Sequence, residues 1–159
     1  MANSAPRRPS RAETPSGSPY RWLDVELQGI SGLDRVAENE FFEALEGVCS
    51  TQGRFDQLVE EVDARKGRAA AGLLAPPDEQ PPTRTRTANG LWEVRWRFAE
   101  GEFRLYYAEP AGFPELLLAL KYHWKWCPPH ASSVEITARQ DAEIAAAGRR
   151  FRRSAYFIE

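Results

Sequence analysis

Arg95 and Arg104 fall in two alternating stretches joined by the short turn Ala99-Glu100-Gly101. Trp92, Val94, Trp96 and Phe98 take one side of the first stretch, with Glu93, Arg95 and Arg97 on the other. Phe103, Leu105 and Tyr107 likewise oppose Arg104 and Tyr106. Alternation of this kind predicts a hairpin of two antiparallel strands. If Arg95 and Arg104 share a face, two guanidinium forks converge on one phosphate. Lys121, His123 and Lys125 stand at alternate positions. In an extended chain all three project to one side. His123 can shuttle a proton near neutral pH, Lys121 can stabilise negative charge, and Tyr106 shares the Arg104 face. Cleavage of a phosphodiester by a neighbouring hydroxyl needs a base, cations for the phosphorane and an acid for the leaving oxygen, and no metal.

Plainer readings compete with this one. Arg95 and Arg97 can be the solvated face of an amphipathic strand. Arg104 can pair with Glu93 across the hairpin as a surface salt bridge. His123 can simply be packed between Tyr122 and Trp124. Trp92 and Trp96 read as core, whereas Trp124 and Trp126 can also line a groove. His123, Cys127 and His130 supply three metal donors with no fourth, and a structural zinc wants four. No glycine-rich phosphate loop and no nucleophile elbow occurs, so neither a metal nor a cofactor is expected.

These residues need elements to hold them. The 159-residue chain suits one domain. Its two cysteines fit a reducing compartment. No apolar run approaches the roughly 18 residues of a membrane helix, and the N-terminal stretch has no apolar signal core. A cytoplasmic protein without membrane attachment is therefore expected. The formal net charge is −2, but residues 24–63 carry −9 and residues 84–159 carry +3. The basic half can face a polyanion while the acidic half faces away.

Residues 1–19, rich in Pro, Ser and Arg, read as a disordered extension. A first strand is expected over residues 21–28. Ser31 or Asp34 can cap a helix containing Val36, Phe41, Leu45 and Val48, with Glu38, Glu40, Glu43 and Glu46 mostly on its polar side. Gly53 reads as a break before a second helix marked by Phe55, Leu58, Val59 and Val62 and ending near Gly67. Residues 69–88, with four prolines, form a connector that is neither a long helix nor a central strand. Residues 115–121 are apolar on both faces, as in a central strand covered on both sides. Ser132 or Ser133 starts a final helix that Gly148 weakens, followed by the basic run 149–153 and a tail over 154–159. The order β-α-α-β-β-β-α is an α+β layout, a small, mostly antiparallel sheet packed by helices.

The runs Gly90-Leu-Trp-Glu-Val-Arg95, Phe103-Arg-Leu-Tyr-Tyr107 and Leu116-Leu-Leu-Ala-Leu-Lys121, in that order, resemble the RelE/ParE toxin superfamily, and within it the HigB-like, phage-associated branch. The resemblance implies a RelE-like domain over residues 20–153. It also implies a type II toxin: a metal-independent, ribosome-dependent endoribonuclease that cuts mRNA and is neutralised by a cognate antitoxin, a helix-turn-helix protein. Its site residues here would be Arg95, Arg104, Lys121 and His123, with RNA contacts from Tyr106, Lys125, Arg97, Arg149 and Arg150. Where the family has an aromatic followed by two lysines, this chain has Lys121-Tyr-His-Trp-Lys125-Trp, and its pI is near 5.8. Those two differences suit an alternative, a non-catalytic binding module on the same scaffold. A ParE-like gyrase inhibitor is a further alternative.

Overall fold

The computed structural model describes residues 8–76, 80–85, 87 and 90–158. Strands β1 (Arg21–Asp24), β2 (Leu27–Gly29) and β3 (Gly32–Asp34) are followed by helices α1 (Val36–Glu46) and α2 (Gln52–Ala70). Then come β4 (Thr83–Arg84), β5 (Leu91–Phe98), β6 (Gly101–Ala108), β7 (Leu116–Trp124) and helix α3 (Ser133–Arg153). The fold is α+β, with a mixed five-stranded sheet in the order β1-β7-β6-β5-β4 and a separate β2-β3 hairpin.

The doubly apolar stretch around residue 118 becomes β7, lying between β1, which it pairs in parallel, and β6, which it pairs antiparallel. Helices cover both faces of this region, so Leu116, Leu117, Leu118, Ala119 and Leu120 are all buried. On the face shared with α1 and α2, Phe41, Phe103, Tyr122 and Trp96 form a chain of ring contacts 5.0–6.2 Å apart between centroids. Phe41 and Leu45 from α1 and Leu58 and Val62 from α2 complete that core. The other face is covered by α3, whose buried stripe is Ile144, Ala147 and Gly148.

Local chemistry explains the helix ends. Thr51 caps α2 by accepting a hydrogen bond from the Arg54 amide (3.1 Å), and Ser132 caps α3 in the same way through the Glu135 amide (3.1 Å). Gly53 does not break a helix. It sits in the first turn of α2, where amides lack intrahelical partners and a glycine costs little. Neither Ser31 nor Asp34 caps α1. They belong to the β2-β3 hairpin, which replaces the second half of the single expected strand, and the cap position falls to Arg35 without a side-chain bond. Gly148 does not end α3, which runs on to Arg153. Within the connector, Thr83 and Arg84 pair with Glu93 and Trp92 as an edge strand just after Pro81 and Pro82.

The N-terminal extension needs correction from residue 8 onward. Ser10, Arg11 and Ala12 are buried. The Arg11 guanidinium donates to the carbonyls of Phe113 (3.0 Å), Leu116 (2.7 Å) and Pro110 (3.1 Å). Ser10 hydrogen-bonds Glu109 (2.5 Å) and the Tyr107 hydroxyl (2.7 Å). Composition misses this because the anchor is one arginine meeting backbone carbonyls rather than an apolar pattern. Residues 1–7 lie outside the described residues.

Candidate functional site

Antiparallel register settles which polar residues meet. Glu93 pairs with Tyr106 and Tyr106 with Lys121; Arg95 pairs with Arg104 and Arg104 with His123. Paired residues point to the same side of a sheet, so Arg95, Arg104 and His123 form one row across three strands, and Glu93, Tyr106 and Lys121 form the next. Both rows lie on the face beneath α3. A register slip of one residue would have sent every one of these side chains into the aromatic core.

Arg104 is the centre of the arrangement, only 3% exposed. Its Nε donates to Glu102 Oε1 at 2.7 Å, and Nη2 is ion-paired with the same oxygen at 2.6 Å. Nη1 lies 3.4 Å from Glu93 Oε1 but has no hydrogen-bond partner among the described residues. The pair with Glu93 is thus real but buried, not the surface salt bridge that the sequence allowed. Burial opposes the Arg104 charge, yet Glu93 and Glu102 outweigh it and leave its pKa raised. Arg95 is turned to Glu93 Oε1 at 2.5 Å.

His123 stacks on Tyr106, with ring centroids 5.2 Å apart. Its Nδ1 lies 3.1 Å from the Trp124 carbonyl and its Nε2 lies 3.1 Å from the Tyr106 hydroxyl. A carbonyl only accepts, so that network assigns the proton to Nδ1 and leaves Nε2 as an acceptor for the phenol. Burial lowers the His123 pKa below its ordinary 6.5, so the ring is neutral at pH 7. The Tyr106 hydroxyl is pushed up to about 12 by burial and by Glu93, which keeps it protonated.

Lys121 and Arg150 meet through carboxylates. Lys121 Nζ lies 2.8 Å from Glu40 and 3.0 Å from Glu143. Arg150 makes two bonds to Glu40, at 2.9 and 3.0 Å, and one to the Leu120 carbonyl. Glu40 also accepts from the Tyr122 amide at 2.9 Å. It therefore closes the edge of β7 beyond the point where β1 stops. Burial raises the Glu40 pKa, but Arg150 and Lys121 more than reverse this.

Between α3, the end of β7 and the loop after it lies a cavity of about 340 Å³. Arg104, His123 and Lys125 line it, together with Trp126, Arg139, Gln140 and Glu143. Arg95 and Arg97 open instead onto a second cavity of about 410 Å³, shared with Arg65 and Arg68. Arg149 lines a third, near Leu91 and Phe157. Three of the expected residues thus share the first cavity, Tyr106 is buried behind it on His123, and Arg95, Arg97 and Arg149 are elsewhere. Lys121 and Arg150 are held by Glu40 instead of facing a ligand.

Sequence reasoning missed Glu40, Glu143, Gln140 and Arg139. Glu40 read as solvated because helix periodicity cannot see a carboxylate reaching past the edge of a sheet. The stripe Ile136, Arg139, Gln140 and Glu143 at helical spacing was the available signal for α3. No protein-family model, no curated protein and no solved structure matches this chain. Among the described residues, no helix is long and apolar enough to cross a membrane.

Proposed function

We propose that this chain is a RelE/ParE-like toxin of the HigB-like branch, a metal-independent endoribonuclease acting on mRNA at the ribosome. The observation that carries the reading is the meeting of Arg104 and His123 in one register row at the wall of one cavity, with Tyr106 bound to the imidazole. A helix pair between β1 and the β5-β6-β7 meander, with β1 parallel to β7, supports the same reading. Neutral His123 takes the 2′-hydroxyl proton at Nε2. Arg104 and Lys125 balance the phosphorane charge. The Tyr106 hydroxyl, released from Nε2 as the substrate binds, protonates the leaving 5′ oxygen and is reprotonated by the imidazolium. A cognate helix-turn-helix antitoxin covers the cavity mouth in the resting complex.

One observation favours a second reading, the non-catalytic binding module. Arg95, Arg104, Lys121 and Arg150 are each already matched by a carboxylate, so a phosphate must compete with Glu93, Glu102, Glu40 and Glu143. Induction in a bacterial host, with pulse-labelled protein synthesis and mapping of mRNA 5′ ends, separates the two. A rapid translation stop with new ends at codon boundaries, abolished by Arg104→Ala, is the expected result. Normal synthesis with intact mRNA from well-expressed protein favours the module. A block in DNA replication with intact mRNA points to the gyrase alternative.

A further inference from the structure

We propose that the 340 Å³ cavity is a guanine pocket, a reading that rests on the nucleic-acid function above and names what the site selects. The volume lies at the low end of the roughly 300–1,000 Å³ typical of small-molecule sites, so it suits one unstacked nucleotide. Trp126, 38% exposed in the cavity wall, carries the Arg139 guanidinium over one ring face, 5.5 Å from the centroid, and both residues line the cavity. An indole beside a guanidinium plane is a common platform for an unstacked base.

The base edge is read from α3. Gln140 and Glu143, one helical turn apart, both line the cavity. Glu143 Oε2 is committed to Lys121 at 3.0 Å, which anchors the carboxylate, and the proposed base contact uses its other oxygen, Oε1. A carboxylate accepts only. Guanine alone among the four bases presents two adjacent N–H donors, N1–H and N2–H, on its Watson–Crick edge. Beside them O6 accepts, matching the amide N–H of Gln140. Adenine and cytosine set a ring acceptor against the carboxylate, and uracil flanks its one donor with two carbonyls. Arg104, buried in the floor with Nη1 lacking a hydrogen-bond partner among the described residues, and Lys125 at the rim supply the positive charge for the attached phosphate.

Calorimetric titration of the full chain with GMP, AMP, CMP and UMP tests this directly. GMP is expected to bind at least about tenfold more tightly than the others, as a good two-point base contact gives. Glu143→Gln should shrink that preference to less than about threefold, weakening GMP binding and strengthening AMP binding, because the new amide N–H can meet adenine N1. If loss of the Lys121 pair unfolds that variant, Gln140→Ala is read instead, and it should also erode the preference. Tighter binding of UUGUU than of GMP identifies RNA as the source of the base, and equal binding identifies a free nucleotide; either supports the pocket. Equal binding of all four nucleotides, no binding, or an unchanged preference in the folded variants overturns it. The two proposals fail separately. Indifferent nucleotide binding with new mRNA ends removes the guanine pocket alone. Guanine preference with intact mRNA removes the nuclease alone.

Discussion

The two faces of the β5-β6-β7 meander are built from alternate residues of the same strands, yet they do opposite things. Toward α1 and α2 the side chains are Trp96, Phe103, Leu105 and Tyr122, packed in the apolar core. Toward α3 they are Glu93, Arg95, Arg104, Tyr106, Lys121 and His123, in rows of alternating charge and hydrogen bonding. One face gains from apolar area removed from water. The other bears the desolvation of several charges, which carboxylates only partly offset. The comparison teaches that the α1/α2 face supplies stability and the α3 face supplies a polar arrangement that stability alone would not select.

Breaking the core face should have the largest effect on folding. Phe103→Ala removes a fully buried ring touching Phe41, Trp96, Tyr122 and Trp124 and should cost about 3–5 kcal/mol in urea unfolding. Its activity should fall only in proportion to the folded fraction. Arg104→Ala should cost somewhat less, ~3 kcal/mol, because Glu102 loses its close partner while Glu93 keeps Arg95. On the proposed toxin reading, toxicity should vanish here even in the folded fraction. The triple variant Arg104→Met, Glu93→Gln, Glu102→Gln sharpens the contrast: it should regain most of the stability and none of the activity. Toxicity in that variant would sink the division between the faces.

Glu40→Gln weakens the links among α1, β7 and α3, and should cost about 1–3 kcal/mol by thermal melting. Acid should act on the α3 face first. The His123 pKa is lowered by burial, so the unfolded chain binds the proton more readily and stability falls as pH drops below 6.5. The lowered Glu40 and Glu102 pKa values add a second loss as pH falls below 4.5. A His123→Gln variant should abolish the first loss in a melting-temperature profile and leave the second. The smallest effect belongs to the surface: Trp126→Leu should shift stability by less than about 0.5 kcal/mol.

Much of this was legible in the sequence. Period-two alternation gave β5 and β6, the doubly apolar run gave β7 its central place, and Ser132 marked the start of α3. Arg104, His123, Lys125 and Tyr106 were singled out by type and spacing, and they meet. Placements that depend on distant partners were not legible. Arg97 and Arg149 line other cavities than Arg104 and His123, Glu40 stood on the polar side of its helix, and Glu93 was offered only a surface pairing. The N-terminal anchor stayed hidden because Ser10 and Arg11 gain their partners from residues about a hundred positions away.

By itself the sequence determined the strands of the meander, the two amphipathic helices before it and the capped helix after it, because these follow from periodicity and local hydrogen bonding. It also determined which chemistry was on offer. Only the tertiary structure decided that Arg95, Arg104 and His123 share a row, that α3 roofs that row with Glu143 and Gln140, and that four of the basic side chains are already matched by carboxylates. Register and helix placement are long-range facts: each is set by the best burial of the whole apolar face, and no window along the chain contains it.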